Sequence, residues 1–308
     1  MGINLTKLGK KSFPELHTPH SYHEDPGKVA SELVSGGSLE YSFGNPRLIP
    51  ERADALPYGM PVFVPMQPRH SLESRCEVIA RLHEAGLEPV PHLAARHFAE
   101  REEALDFLAF AVGEAGVRRV LLVGGDARRI EGTYADATCL LADGFLQEAG
   151  ISEVGFAGYP EGHKDIASEA LEHALLSKLS RAAESGLGSF VITQFTMVPQ
   201  RIIEYCAHLA LLAPDVPVFA GLAGPTTPTD LVHFARYCGV AASLSAVEKV
   251  GVRVPQVVDH VDTDQQLALL AGFNAAHHPS NIIGVHLFSF GGFRRTVEWV
   301  HGHCGTAE

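Results

Sequence analysis

The chain is short of positive charge: Lys+Arg number 24 against Asp+Glu 36, a net charge of −12 with His neutral. So acidic a protein does not suit nucleic-acid phosphates or anionic membranes, although a local basic pocket is still allowed. No apolar run is long enough for a membrane helix. The polar, basic start MGINLTKLGKKSF has no apolar h-region and does not read as a secretory signal. The five cysteines (Cys76, Cys139, Cys206, Cys238, Cys304) are scattered and form no CxxC pair. They suit reduced thiols in a cytoplasmic protein, not a zinc ribbon or a disulfide frame.

Chemical motifs are missing too. No GxGxxG follows a strand-like run, which counts against a Rossmann domain. There is no Walker loop and no GxSxG elbow, and no Cys pairs convincingly with a His at a strand end, so a covalent hydrolase is disfavoured. The chain has 17 histidines, but His277-His278 and His301-Gly302-His303 lack HxxxH or HExxH spacing. No metal site is expected. Fixed-period repeats and low-complexity tracts are absent.

What is present is a rhythm. The chain has 308 residues, 46% apolar and 19% charged. That is room for two domains or for one α/β barrel. Eight apolar, β-rich runs read as strands: Leu39–Phe43, Val62–Met66, Glu88–Leu93, Val120–Gly124, Val154–Tyr159, Phe190–Gln194, Val216–Gly221 and Ile282–Ser289. Several are almost continuously apolar, as parallel strands covered on both faces should be. Helical periodicity lies between them, at Leu72–Ala85, Glu100–Ala115, Ala167–Ser185, Gln200–Leu212, Thr229–Tyr237 and Thr263–Ala276. Most of these segments stop at a Gly or before a Pro. The alternation predicts an α/β fold, a single (β/α)8 TIM barrel over residues 26–308. Residues 1–25 read as an N-terminal arm, and Asp25–Gly36 as an extra helix.

Such a barrel keeps its chemistry at the C-terminal ends of its strands. Polar groups gather there: Glu40 among Leu39, Tyr41 and Phe43; Pro91-His92; Gly124-Gly125-Asp126; Tyr159-Pro160-Glu161-Gly162-His163; Thr193-Gln194; and His286 with Ser289. A closed barrel has no edge, so a carboxylate within a strand must face the interior or the helix layer, both costly for a charge. Each residue also has a structural reading. His92 and His286 suit satisfied core histidines, and Asp126 suits a turn or helix cap. Gly125 leaves room for a ligand against bare backbone.

Taken in order, these motifs resemble the methylenetetrahydrofolate reductases. Ser38-Leu39-Glu40-Tyr41-Ser42 is similar to the family's SFEFFP, Pro91-His92-Leu93 to PHLTC, and Leu121-Leu122-Val123-Gly124-Gly125-Asp126 to LALRGD. Tyr134-Ala135 matches the YA that follows. Tyr159-Pro160-Glu161-Gly162-His163 is similar to AYPEVHP, Ile192-Thr193-Gln194-Phe195 to ITQFFFD, Gly221-Leu222 to the PGI/L after the seventh strand, and His286-Leu287-Phe288-Ser289-Phe290 to HFYTL. The likeness runs from about Asp25 to Val300. Gly124 stands where the family has Arg, Ala94-Ala95 where it has Thr-Cys, and the link between the first two strands is short.

The resemblance implies a TIM-barrel flavoprotein oxidoreductase of one-carbon metabolism. NAD(P)H would reduce FAD, which would pass hydride to 5,10-methylenetetrahydrofolate to give 5-methyltetrahydrofolate, or the reverse in a demethylation pathway. It implies Glu40 as general acid for opening the methylene bridge and Asp126 as the aspartate beside flavin and pterin. Gln194, Phe288 and Phe290 would meet folate. His92, Gly125, Asp126, Tyr134, Ala135, Tyr159 and His163 would meet FAD, with Lys178 or Arg181 toward its diphosphate. Self-association is compatible with the family. The changed Arg and the altered helix after the fifth strand leave two alternatives: a flavin-independent folate oxidoreductase fed directly by a nicotinamide, and a non-catalytic folate-binding barrel.

Overall fold

Eight parallel strands close on themselves in chain order, each hydrogen-bonded to the next and the eighth to the first. The structure is a computed structural model and describes residues 24–42, 44, 46–49, 53–67, 70–125, 132–240, 262–277 and 280–304. The strands are β1 (Ser38–Glu40), β2 (Pro61–Val64), β3 (Glu88–Ala94), β4 (Arg119–Val123), β5 (Glu153–Gly158), β6 (Gly188–Thr193), β7 (Val218–Ala223) and β8 (Ile282–Phe288). Closure is made by the register Ser38↔His286 and Leu39↔Leu287. All eight expected strands are present. β7 begins two residues later than the apolar run suggested, because Pro217 has no N–H to give the ladder.

The helices are α1 (Pro26–Ser35), α2 (Leu72–Glu84), α3 (Arg101–Ala115), α4 (Ala137–Asp143), α5 (Phe145–Glu148), α6 (Ser168–Glu184), α7 (Pro199–Leu212), α8 (Pro228–Tyr237), α9 (Thr263–Ala276) and α10 (Phe293–His303). Their ends follow local chemistry. Asp25 caps α1 by accepting from the Gly27 N–H at 3.0 Å, with Pro26 in the first turn. Gly116 ends α3 with φ +60, a left-handed conformation that glycine adopts without cost. The sequence reading missed α4 and α5, which are too short to show a period. It did not mark α10 either. The link from β1 to β2 carries only a 3-10 turn at Pro46–Leu48 among its described residues. Pro46, Pro50 and Pro57 suit such a link better than a helix. Of the expected arm, Glu24 and Asp25 alone fall within the described residues.

Alternation along the strands separates two cores. Leu39, Val62, Val64, Leu93, Leu122, Phe156, Val191, Leu222 and Leu287 belong to the large cluster beneath the helices. Phe63, Val90, Leu121, Phe190, Ile192 and Phe219 form a separate cluster that fills the barrel. Residues in phase with this second set therefore point inward, and they include Ser38, Glu40, His92, His286 and Phe288. A third cluster, with Phe195, Met197, Leu231 and Ala235, packs α8 over the ends of β6 and β7.

The entry to β1 depends on one close approach. A Cβ on Gly37 would lie 2.4 Å from the Val285 carbonyl oxygen and 2.9 Å from that of Leu33. Gly37→Ala should therefore lower stability by about 1–3 kcal/mol in urea unfolding. Gly113→Ala, on the exposed side of α3 with nothing within 4 Å, should raise it by about 0.5–1 kcal/mol. A Gly37→Ala protein as stable as the parent would contradict this packing.

Candidate active site

The barrel mouth is built around three ionisable side chains that the interior keeps uncharged. Glu40 ends β1 and faces inward in register with Phe63. Burial, with no cationic partner among the described residues, lifts its carboxyl to about 8, which favours the protonated form at neutral pH. His92 and His286 are pushed down to about 3, by burial in both cases and further by the neighbouring His92 in that of His286. Both imidazoles are neutral.

Geometry explains the neutrality. The Phe63 ring meets His92 and His286 edge-on, with centroids 6.0 and 5.0 Å apart. His286 Nδ1 and Ser38 Oγ are 2.9 Å apart, a hydrogen bond that fixes the ring. His92 Nε2 is buried and has no partner among the described residues, as is Ser289 Oγ after β8. An orphaned polar atom in such a place costs free energy until a ligand or water meets it. Cys238, at the end of α8, has its thiol raised to about 12, mainly by burial and then by Glu40. That helix end is therefore near the same carboxyl.

One wall is aromatic. Phe288 and Phe290 lie 5.6 Å apart at 13°, Phe290 stacks on Phe234 at 4.3 Å, and Phe195 meets Phe290 edge-on at 4.8 Å. Phe290 is thus engaged by three other rings, while Phe288 reaches the interior beside His286, 4.7 Å away. Gln194 follows β6, and its side-chain oxygen accepts from the Phe195 N–H at 3.1 Å. Its two amide N–H groups have no bonds among the described residues.

On the β3–β5 side the expected residues separate. Asp126 lies outside the described residues. Gly125 ends the β4 run with φ +87, and Gly124 has open space where a side chain would begin. Tyr134 is buried, and its hydroxyl donates to Asp143 at 3.0 Å; Asp143 also pairs with Arg101 at 2.7 Å. Burial and Asp143 raise the phenol to about 12. Tyr134 is thus committed to holding its loop. Ala135 offers its carbonyl to Arg96 Nε at 2.9 Å. Tyr159 meets the His163 ring edge-on at 5.6 Å, and His163 Nδ1 accepts from the Asp165 N–H at 3.2 Å.

Beyond Tyr159 a groove of about 720 Å³ runs between α6 and α7, ample for a large small-molecule fragment. Leu171, Leu175, Leu209 and Tyr205 make it apolar, and Glu161, Glu172, Lys178 and Arg201 make it polar. The Lys178 ammonium sits 5.2 Å from the centre of the Phe156 ring, and burial lowers its pKa. Arg201 is held by Glu204 at 3.1 Å. Arg181 is exposed near the far end of α6 and does not line the groove. The structure brings Tyr159 and Lys178 to one cavity and leaves Arg181 apart.

Sequence reasoning missed Arg96, Phe63 and Tyr205. Phe63 looked like any strand residue. Tyr205 reaches β5 across a gap that only glycine permits, since a Cβ on Gly158 would lie 2.7 Å from its hydroxyl. Arg96 could have been noticed as a cation directly after an apolar strand.

A linkage effect follows. Between the ordinary carboxyl value of 4.5 and about 8, folded Glu40 holds a proton that the unfolded chain releases. Its contribution to stability therefore becomes more unfavourable as pH rises through that window. Glu40→Gln should stabilise the protein near pH 7 by at most on the order of 3 kcal/mol and give no gain near pH 4. The two histidines act oppositely: with folded values depressed to about 3, they remove stability as pH falls below 6.5. That acid limb is common to both proteins. Denaturant unfolding at the two pH values checks the difference, and equal stabilities near pH 7 would mean that folded Glu40 is ionised.

The chain is similar to known proteins. The chain is 25% identical over 130 residues to methylenetetrahydrofolate reductase 2 of Saccharomyces cerevisiae, a match covering 40% of this chain and 21% of that protein. It thus spans about a fifth of that relative's length. A crystal structure assigned to a phosphonomutase from Burkholderia cenocepacia superposes with TM-score 0.43 and 18% identity, covering 75% of this chain and 98% of that one. So loose a superposition says nothing about chemistry. The family model described as Methylenetetrahydrofolate reductase matches residues 47–266, more than two thirds of the chain. The chain belongs to the methylenetetrahydrofolate reductase family.

Proposed function

We propose that this barrel reduces 5,10-methylenetetrahydrofolate to 5-methyltetrahydrofolate, with NAD(P)H as electron source and FAD as hydride carrier. The observation that carries the proposal is Glu40, a carboxyl at the end of β1 that faces the barrel interior in register with Phe63 and that burial lifts to about 8. Opening the methylene bridge breaks the bond from carbon to N10, and N10 must gain a proton as it leaves. Glu40 donates that proton from its O–H. The N5 iminium that results accepts hydride at the methylene carbon. Mere binding of folate would not require a protonated acid at this depth. Gln194 offers two amide N–H donors to the pterin edge. Phe288 gives an apolar face to the rest of the substrate. The resemblance implies Asp126, which lies outside the described residues, as the aspartate beside the pterin.

FAD, when bound, supplies the hydride to folate. The described residues fit it at two places. The open space where a Gly124 side chain would begin allows a flat ring to approach closely. The groove between α6 and α7 accommodates a nucleotide-sized tail, with Tyr159 at its head and Lys178 within. A specific observation favours the second reading, direct hydride transfer from a nicotinamide. Two carboxylates, Glu161 and Glu172, share the groove with Lys178, and Arg201 is already paired. The groove is thus poor in free positive charge for a diphosphate.

The absorbance spectrum of the purified protein separates the two. Flavin bands that bleach with NADH and return with methylenetetrahydrofolate support the flavoprotein. A protein that stays colourless with added FAD yet oxidises NADH with methylenetetrahydrofolate supports the direct route. Glu40→Gln should slow folate reduction by about 10²- to 10⁴-fold and leave NADH oxidation by an artificial acceptor unchanged. A loss below tenfold would remove Glu40 as the acid.

A further inference from the structure

We infer that Arg96 is a positioning residue that fixes the cofactor-facing backbone at the end of β4 by tying together the two ends of the β4–α4 loop. The inference rests on the reading of this rim as the hydride carrier's site. Nothing in the sequence motifs assigns Arg96 a part.

Three contacts converge on this residue. Its own N–H donates to the Gly124 carbonyl at 3.1 Å. Its Nη1 reaches the Gly125 carbonyl at 3.5 Å, and its Nε donates to the Ala135 carbonyl at 2.9 Å. Gly124–Gly125 and Ala135 are the opposite ends of one loop. A peptide N–H points opposite to its C=O, because the unit is planar and trans. Holding the Gly124 carbonyl on the Arg96 side therefore turns the Gly125 N–H away from it. With Gly125 at φ +87, this is the kind of backbone turn that presents N–H groups to an electron-rich ligand. The turn of 3-10 helix at Ala95–His97 holds Arg96 in place. The far end of the loop leans on the same segment: a Cβ on Gly132 would lie 1.9 Å from the Phe98 carbonyl. Lysine has one ammonium and lacks the planar fork, so it can replace only part of this bridge.

The test is titration of the full-length wild type, Arg96→Ala and Arg96→Lys with FAD, read by quenching of flavin fluorescence, and with NADH, read by nicotinamide fluorescence. Thermal unfolding of each protein runs alongside. Loss of a charge-assisted clamp should weaken binding of the carrier by about 10- to 100-fold in Arg96→Ala. Arg96→Lys should recover part of that loss, and the bound flavin's absorbance bands should shift relative to wild type. A wild type that binds neither FAD nor NADH overturns the functional reading and this inference with it. A wild type that binds, with Arg96→Ala binding equally well, overturns the inference alone. If Arg96→Ala does not fold, Arg96→Lys decides: unchanged affinity and unchanged bands would overturn the inference.

Discussion

Everything at this site depends on a closed barrel having only an inside and a helix-covered outside. Glu40, His92 and His286 are in phase with Phe63, Val90 and Phe219, so they face the interior. Among the described residues no cation meets Glu40 there, and no carboxylate meets the histidines. Ionising any of them would strand a charge at low dielectric. All three therefore stay neutral at neutral pH, although model compounds would leave the carboxyl ionised. An acid poised near 8 follows from where the strand ends, without a partner to tune it.

The remainder of the mouth is arranged around that acid. On one side are rings: Phe288, Phe290, Phe234 and Phe195 pack on one another under α8. On the other side is backbone, where two glycines end β4 and Arg96 holds the loop that follows. The first side suits a flat, partly apolar substrate. The second suits a ligand recognised by peptide groups. Between them the residues that hold hydrogen bonds hold them locally, as Tyr134 does with Asp143 and Ser38 with His286. These pairs stiffen the rim and leave the central polar atoms for a ligand.

The architecture was legible because buried parallel strands carry their signature in composition. Eight apolar runs separated by amphipathic segments admit few arrangements. Glu40 was legible for the same reason: a charge in an apolar run has no ordinary place in a barrel. Motifs alone say less about a residue's surroundings. Tyr134 and Ala135 sit where the resemblance puts them, but one spends its hydroxyl on Asp143 and the other its carbonyl on Arg96. A motif gives a residue's place in the chain and not what its polar atoms already do. Lys178 and Arg181 show the same limit. They are three residues apart on α6, yet one faces the groove over Phe156 and the other faces solvent. Arg96 went unnoticed because its partners are backbone carbonyls from a loop 28 to 39 residues further on. No local pattern records such a contact.

Stability and chemistry pull in opposite directions at Glu40. At neutral pH the folded chain must retain a proton that water would remove, and that retention opposes folding. An amide of the same shape would carry no such penalty. The carboxyl is nevertheless set on the first strand, next to the seam that closes the barrel, where β1 pairs with both β2 and β8. The position that makes the acid costly to fold is therefore the one that makes its proton usable.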